Sequence, residues 1–230
     1  MRLQEVLEEL RSRADPRDLV GMARFGIETS RALGGIGLPA IRAMARRIGR
    51  DRRLAAQLWR SGIHEARILA PMLDDPEQVT ERQMEDWAAD FDSWDVVDGC
   101  CGNLFDRTRF AYRKAVEWST REEEFVKRAA FALMAQLAVH DKEAPDRVFA
   151  AFLPIIEGQA QDPRNFVRKA VNWALRQIGK RSMLLNEMAM DSALRIRGSG
   201  ARAARWVASD ALRELSGERV QRQLAGRETR

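Results

Sequence analysis

Residues 92–100 read DSWDVVDGC. If the stretch is helical, Trp94 and Asp98 lie one turn apart on a single face, an indole beside a carboxylate. That pairing suits positive charge. A carboxylate about 4 Å from a unit positive charge gains about 4 kcal/mol at an effective dielectric near 20. A flat ring adds about 1–2 kcal/mol through cation–π contact. The plainer alternative is a core tryptophan and an aspartate that is solvated or paired with an arginine. Asp92 or Ser93 is a suitable N-cap, and Asp95 in the first turn is accounted for by the helix dipole alone.

A second stretch of interest is RNFVRKAVNWALRQIGKR, residues 164–181. Val167, Ala170, Val171, Ala174 and Ile178 form an apolar stripe. Lys169, Trp173, Arg176 and Lys180 follow at i, i+4, i+7 and i+11 on the other face. Cations interleaved with an aromatic ring fit a nucleic-acid backbone with a base or sugar nearby. The plainer alternative is that Trp173 packs on a neighbouring repeat and the bases are solvated. Arg128 lies in the otherwise apolar VKRAAFALMAQLAV, which predicts near-complete burial. There it reaches a carboxylate or opens onto a groove and a phosphate.

Other chemistry finds little support. His64 and His140 are the two histidines, and no HxxxH or HExxH spacing occurs, so no metal is expected. His64 reads as an inter-helix hydrogen-bond partner. Cys100 and Cys101 are the two cysteines; as neighbours outside any CxxC pattern they support neither a disulfide framework nor a zinc site, and read as small packing residues. RALGGIGLP lacks the GKS/GKT of a phosphate loop. No GxSxG elbow is present. Trp59, Trp87, Trp118 and Trp206 sit at core-like helical positions. Arg46, Arg47, Arg50, Arg52 and Arg53 read as a solvated turn able to touch phosphate. No cofactor is implied.

These side chains need a helical framework. Ala, Leu, Arg and Glu dominate, alternating β-branched runs are missing, and helical periodicity runs almost throughout the 230 residues. Helices are predicted near 2–13, 16–30, 38–49, 51–60, 62–73, 77–90, 93–105, 108–119, 121–139, 144–159, 163–180, 182–196, 199–215 and 217–224. Pro39, Pro76 and Pro163 suit first turns, and Gly49, Gly179 and Gly198 suit helix ends. Short links imply antiparallel neighbours. Similar segments recur every 35–45 residues or so, which points to an all-α fold: a superhelical stack of antiparallel helix pairs, or α-solenoid, of HEAT-like repeats. Residues 1–230 are expected to form one such domain. The net charge of +5, from 39 bases and 34 acids, permits a polyanionic partner without demanding one. Mean hydropathy is −0.42, no run of about 18 apolar residues occurs, and the amphipathic start lacks a secretory signal, so a cytoplasmic protein without membrane association is expected.

SWDVVD, VKRAAFALMAQLAV and FVRKAVNWALRQIGKR, in that order and at those separations, resemble the HEAT-repeat DNA glycosylases of the DNA alkylation repair family. The similarity runs from about Met22 to Leu215, and MARFGIETSRALGGIGLPAIRAMAR fits the family's opening pattern more loosely. The resemblance implies a basic concave groove for duplex DNA carrying alkylated bases, and excision of cationic purines of the 3-methyladenine and 7-methylguanine type without flipping the base into a pocket. It implies catalytic roles for Trp94, Asp98 and Trp173 in the cleft beside the damaged nucleotide, and backbone contacts from Arg128 and Arg176. Lys169 and Lys180 extend that DNA-binding set, and the family's DNA-facing tyrosine falls on Phe25. A monomer is expected. A non-catalytic protein that binds duplex or branched DNA is the alternative.

Overall fold

The computed structural model describes residues 2–228, which hold fifteen α-helices and three short 3-10 turns, and no strand among them. They fall into two compact units, the first running to Arg109 and the second starting at Phe110.

In the first unit the helices are α1 (Leu3–Ser12), α2 (Leu19–Arg24), α3 (Leu38–Ile48), α4 (Arg52–Arg60), α5 (His64–Leu73), α6 (Glu81–Ala89) and α7 (Trp94–Asn103). α5 is the hub: α3, α4 and α7 all pack on it. Nine of its ten residues are buried, so its charged members His64, Glu65 and Arg67 must find partners inside the protein. The aromatic centre is the stacked pair Trp59–Trp87, with ring centroids 4.1 Å apart.

The second unit holds α8 (Ala111–Glu117), α9 (Glu124–His140), α10 (Asp146–Ala150), α11 (Leu153–Gln159), α12 (Asn165–Gly179), α13 (Met183–Gly198), α14 (Arg202–Leu215) and α15 (Glu218–Glu228). α12 packs on α9 and α14 packs on α12, while α8, α11 and α13 line the other side of this row. α9 is apolar almost all round, and twelve of its seventeen residues are buried, as its sequence predicts.

Two predicted elements and two proline positions differ. The helix expected over 16–30 ends at Arg24. Gly26 adopts φ 74°, its N–H bonds to the Ala23 carbonyl and the Ile27 N–H to that of Met22, a Schellman closure that stops the helix. The helix expected over 144–159 divides into α10 and α11. Pro154 sits in the first turn of α11, where its missing N–H costs nothing, and it could not continue α10. Pro76 and Pro163 lie in the loops before α6 and α12 and not in first turns, whereas Pro39 does open α3. Among the described residues no helix is long and apolar enough to cross a membrane.

Candidate functional site

In the first unit the site is built on the N-terminal end of α7. Val96, Val97, Cys100 and Cys101 turn into the core. Burial raises the Cys100 thiol pKa well above its usual value, which suits a packing residue and not a nucleophile. Trp94 and Asp98 border this buried face and are both half-buried. The Trp94 indole N–H donates to the Phe25 carbonyl at 3.1 Å. Phe25 caps the end of α2 and is 72% exposed. Thus Phe25 and Trp94 are brought together, with Asp98 one turn further along α7.

Two contacts from α5 hold this end of α7. His64 Nε2 lies 3.0 Å from Asp95 Oδ2, the inter-helix role expected of this histidine. Burial disfavours the charged imidazole, but the hydrogen bond and charge of Asp95 outweigh it and raise the His64 pKa. Burial likewise pushes the Asp95 carboxyl up, and the His64 bond and charge bring it below the usual range. Asp95 also accepts from Ser93 Oγ and from the Val96 N–H, so more than the helix dipole explains it. Ser93 stands at the N-cap but spends its hydroxyl on Asp95. The second contact is Arg67. It donates to the Asp90 carbonyl at 2.9 Å and to Asp92 Oδ2 at 3.2 Å, and its guanidinium lies over the Trp59 ring, 5.3 Å from the centroid. The loop that delivers Trp94 is thereby fixed to the aromatic core. Sequence alone does not single out Arg67 and accounts for Asp95 by the helix dipole; the available signal for Arg67 was a cation in HEARILAPML, a segment apolar enough to be buried.

In the second unit the basic face of α12 meets α14. Arg176 pairs with Glu214 and lies 3.8 Å from Asp210 Oδ2, and Lys180 Nζ is 2.7 Å from Glu214 Oε1. Burial raises the Glu214 carboxyl, but bonds from Lys180 and Arg176 hold it below its usual range, so it stays charged at neutral pH. These two cations are therefore neutralised from within the protein and are not simply solvated. Lys169 is exposed. Trp173 is half-buried, and with the Gln177 amide oxygen turned towards it, its indole N–H donates at 3.1 Å. Arg128 is buried and donates to the Phe166 carbonyl at 2.7 Å, which ties α9 to the start of α12.

Trp59, Trp87 and Trp118 are core residues as expected, but Trp206 is a correction: it is 39% exposed. The buried stripe of α14 runs through Ala203, Ala204, Val207, Ala208 and Ala211, and position 206 stands at its edge. There Arg168 covers one face of the ring, 4.7 Å from its centroid.

A family model described as DNA alkylation repair enzyme matches residues 6–215. The chain belongs to the DNA alkylation repair enzyme family. Among solved structures this family member is similar to a protein described as one of a new family related to the HEAT-like repeat DNA glycosylases with affinity for branched DNA structures. The TM-score is 0.74 at 18% identity, over 85% of this chain and 83% of that one, and it establishes the HEAT-like fold. A designed armadillo repeat protein in complex with the peptide (KR)4 gives a TM-score of 0.38 at 12% identity, over 83% of this chain and 91% of that one. No curated protein matches the sequence.

Proposed function

We propose that the protein is a DNA glycosylase that removes cationic alkylated purines, of the 3-methyladenine and 7-methylguanine type, from duplex DNA. The observation that carries this reading is the half-buried pair Trp94–Asp98, one turn apart on α7, in a chain of the DNA alkylation repair enzyme family.

N-alkylation makes the purine a good leaving group. As the C1′–N bond breaks, its electron pair leaves with the base, which departs neutral, and the sugar becomes oxocarbenium-like. The Asp98 carboxylate stabilises that charge, orients the water whose oxygen bonds to C1′ and accepts the proton which that water gives up. About 4 kcal/mol of charge stabilisation corresponds to roughly a thousandfold in rate. The indole of Trp94, fixed at its N–H by Phe25, contributes a face for the sugar and the cationic base. Trp173 supplies a second such face in this reading. Arg128 and Arg176, with Lys169, Lys180 and Phe25, are assigned to the DNA backbone. For Arg176 and Lys180 a phosphate replaces Glu214 as the counter-ion.

The direct test is to incubate the protein with duplex DNA containing 7-methylguanine and assay free base and abasic sites. Release above the spontaneous rate supports the proposal. Intact DNA binding with only spontaneous release favours the second reading, a non-catalytic binder of duplex or branched DNA. The affinity for branched DNA structures described for the structurally similar protein points the same way.

A further inference from the structure

The first unit carries a second basic feature, at the opposite end of α7 from Trp94. The C-terminal ends of α3, α5 and α7 enclose an open cleft of about 340 Å³. Arg42, Arg46 and Arg50 enter it from α3 and the residue pair that follows, and Arg107 enters from beyond α7, with Asp74 the one acid in the wall.

Arg50 and Arg107 have acids beside them, Asp75 at 3.4 Å and the buried Asp106 at 3.7 Å, but Arg42 and Arg46 are not balanced from within. Arg42 and Arg46 are one turn apart on one helix face, so their charges repel. Among the described residues neither has an ion-pair partner. The acids close to α3 answer other arginines: Glu9 takes Arg47, and Asp75 lies 3.4 Å from Arg50. Asp74 is committed elsewhere. Its Oδ1 accepts from the Asp75 N–H at 2.8 Å and its Oδ2 from the Gln83 amide at 2.5 Å, and burial raises its pKa. The negative end of α3 favours a cation in its last turn and so accounts for Arg46. It does not account for Arg42, in the first half of the helix. Arg42 and Arg46, flanked in the same open cleft by the partly neutralised Arg50 and Arg107, form an anion site by charge and by donor geometry.

We propose that this cleft holds phosphates of a nucleic-acid backbone. The assignment of DNA as its ligand rests on the functional reading above. α7 spans ten residues, so its two ends are ~14 Å apart, on the order of four base-pair steps of duplex. A duplex engaged at Trp94 is long enough to reach the arginines. They set grip and register and take no part in bond cleavage.

The test uses the full chain and a labelled duplex containing 7-methylguanine, with affinity measured across a salt series. The double variant Arg42→Ala/Arg46→Ala is compared with wild type and with a charge-matched control, Arg60→Ala/Arg82→Ala. Loss of two phosphate contacts lowers the slope of log affinity against log salt by about 1.8, while the control stays near wild type. Equal slopes in all three proteins, or an equal fall in the control, overturn the proposal. So does displacement of a pyrophosphate probe by the double substitution with duplex affinity unchanged, since the cleft then serves a free anion. Base release is followed in the same samples. A lowered slope with no release by wild type leaves the cleft assigned and removes the glycosylase reading; release with an unaltered slope does the reverse.

Discussion

The indole N–H of Trp94 donates to the backbone carbonyl of Phe25, a residue 69 positions earlier. The contact uses the backbone of one partner and the side chain of the other, which separates two substitutions. Trp94→Phe removes the donor and keeps a ring. It is expected to cost about 1 kcal/mol of stability and to slow single-turnover base release by about tenfold. Phe25→Ala keeps the carbonyl. It is expected to weaken duplex affinity while leaving the single-turnover rate within about threefold. Equal slowing in both variants contradicts this arrangement.

Gly26 closes α2 in the left-handed region, with φ 74°. An alanine there carries a steric penalty of about 1–2 kcal/mol, so Gly26→Ala lowers the urea midpoint accordingly. An unchanged midpoint shows that the end of α2 does not need that conformation.

His64 and Asp95 give stability a defined pH window. The His64 pKa is raised on folding, so its contribution is complete below the unfolded value near 6.5 and is lost as pH rises through the folded value. The Asp95 pKa is lowered, so its contribution is present above about 3.8 and is lost as pH falls through the folded value. The pair therefore stabilises most between roughly pH 4 and 6.5. His64→Gln is expected to cost about 1.5–3 kcal/mol near pH 6 and less at pH 8. Denaturant unfolding at the two pH values checks this, and a pH-independent difference contradicts it.

Glu214 neutralises Arg176 and Lys180. Glu214→Gln releases both from their charged partner. The expected result is tighter duplex binding and a salt slope steeper by about 1–2, with about 1 kcal/mol of stability lost. Weaker binding contradicts a backbone role for these two cations. Fluorescence anisotropy at two salt concentrations is sufficient.

Much of this was legible in the residues themselves. The burial of α9 follows from an apolar sequence with almost no polar face, and the one-turn Trp94–Asp98 spacing from a helix that starts at Trp94. What was not legible depends on contacts distant in sequence. Glu214 lies 34 residues from Lys180, and only the packing of α14 on α12 joins them. The stop at Gly26 is masked by apolar residues that keep helical spacing on both sides. Trp206 stands at the edge of an alanine-rich stripe, where periodicity does not decide exposure. Arg67 and Asp95 needed knowledge of which faces α5 and α7 share.

The central claim concerns the carboxylate of Asp98, and its most direct test is the single-turnover release of 7-methylguanine by Asp98→Asn. The exchange keeps size and hydrogen-bonding atoms and removes the charge. The account predicts a rate at least about tenfold lower with duplex affinity near wild type. A variant that releases base as fast as wild type contradicts it.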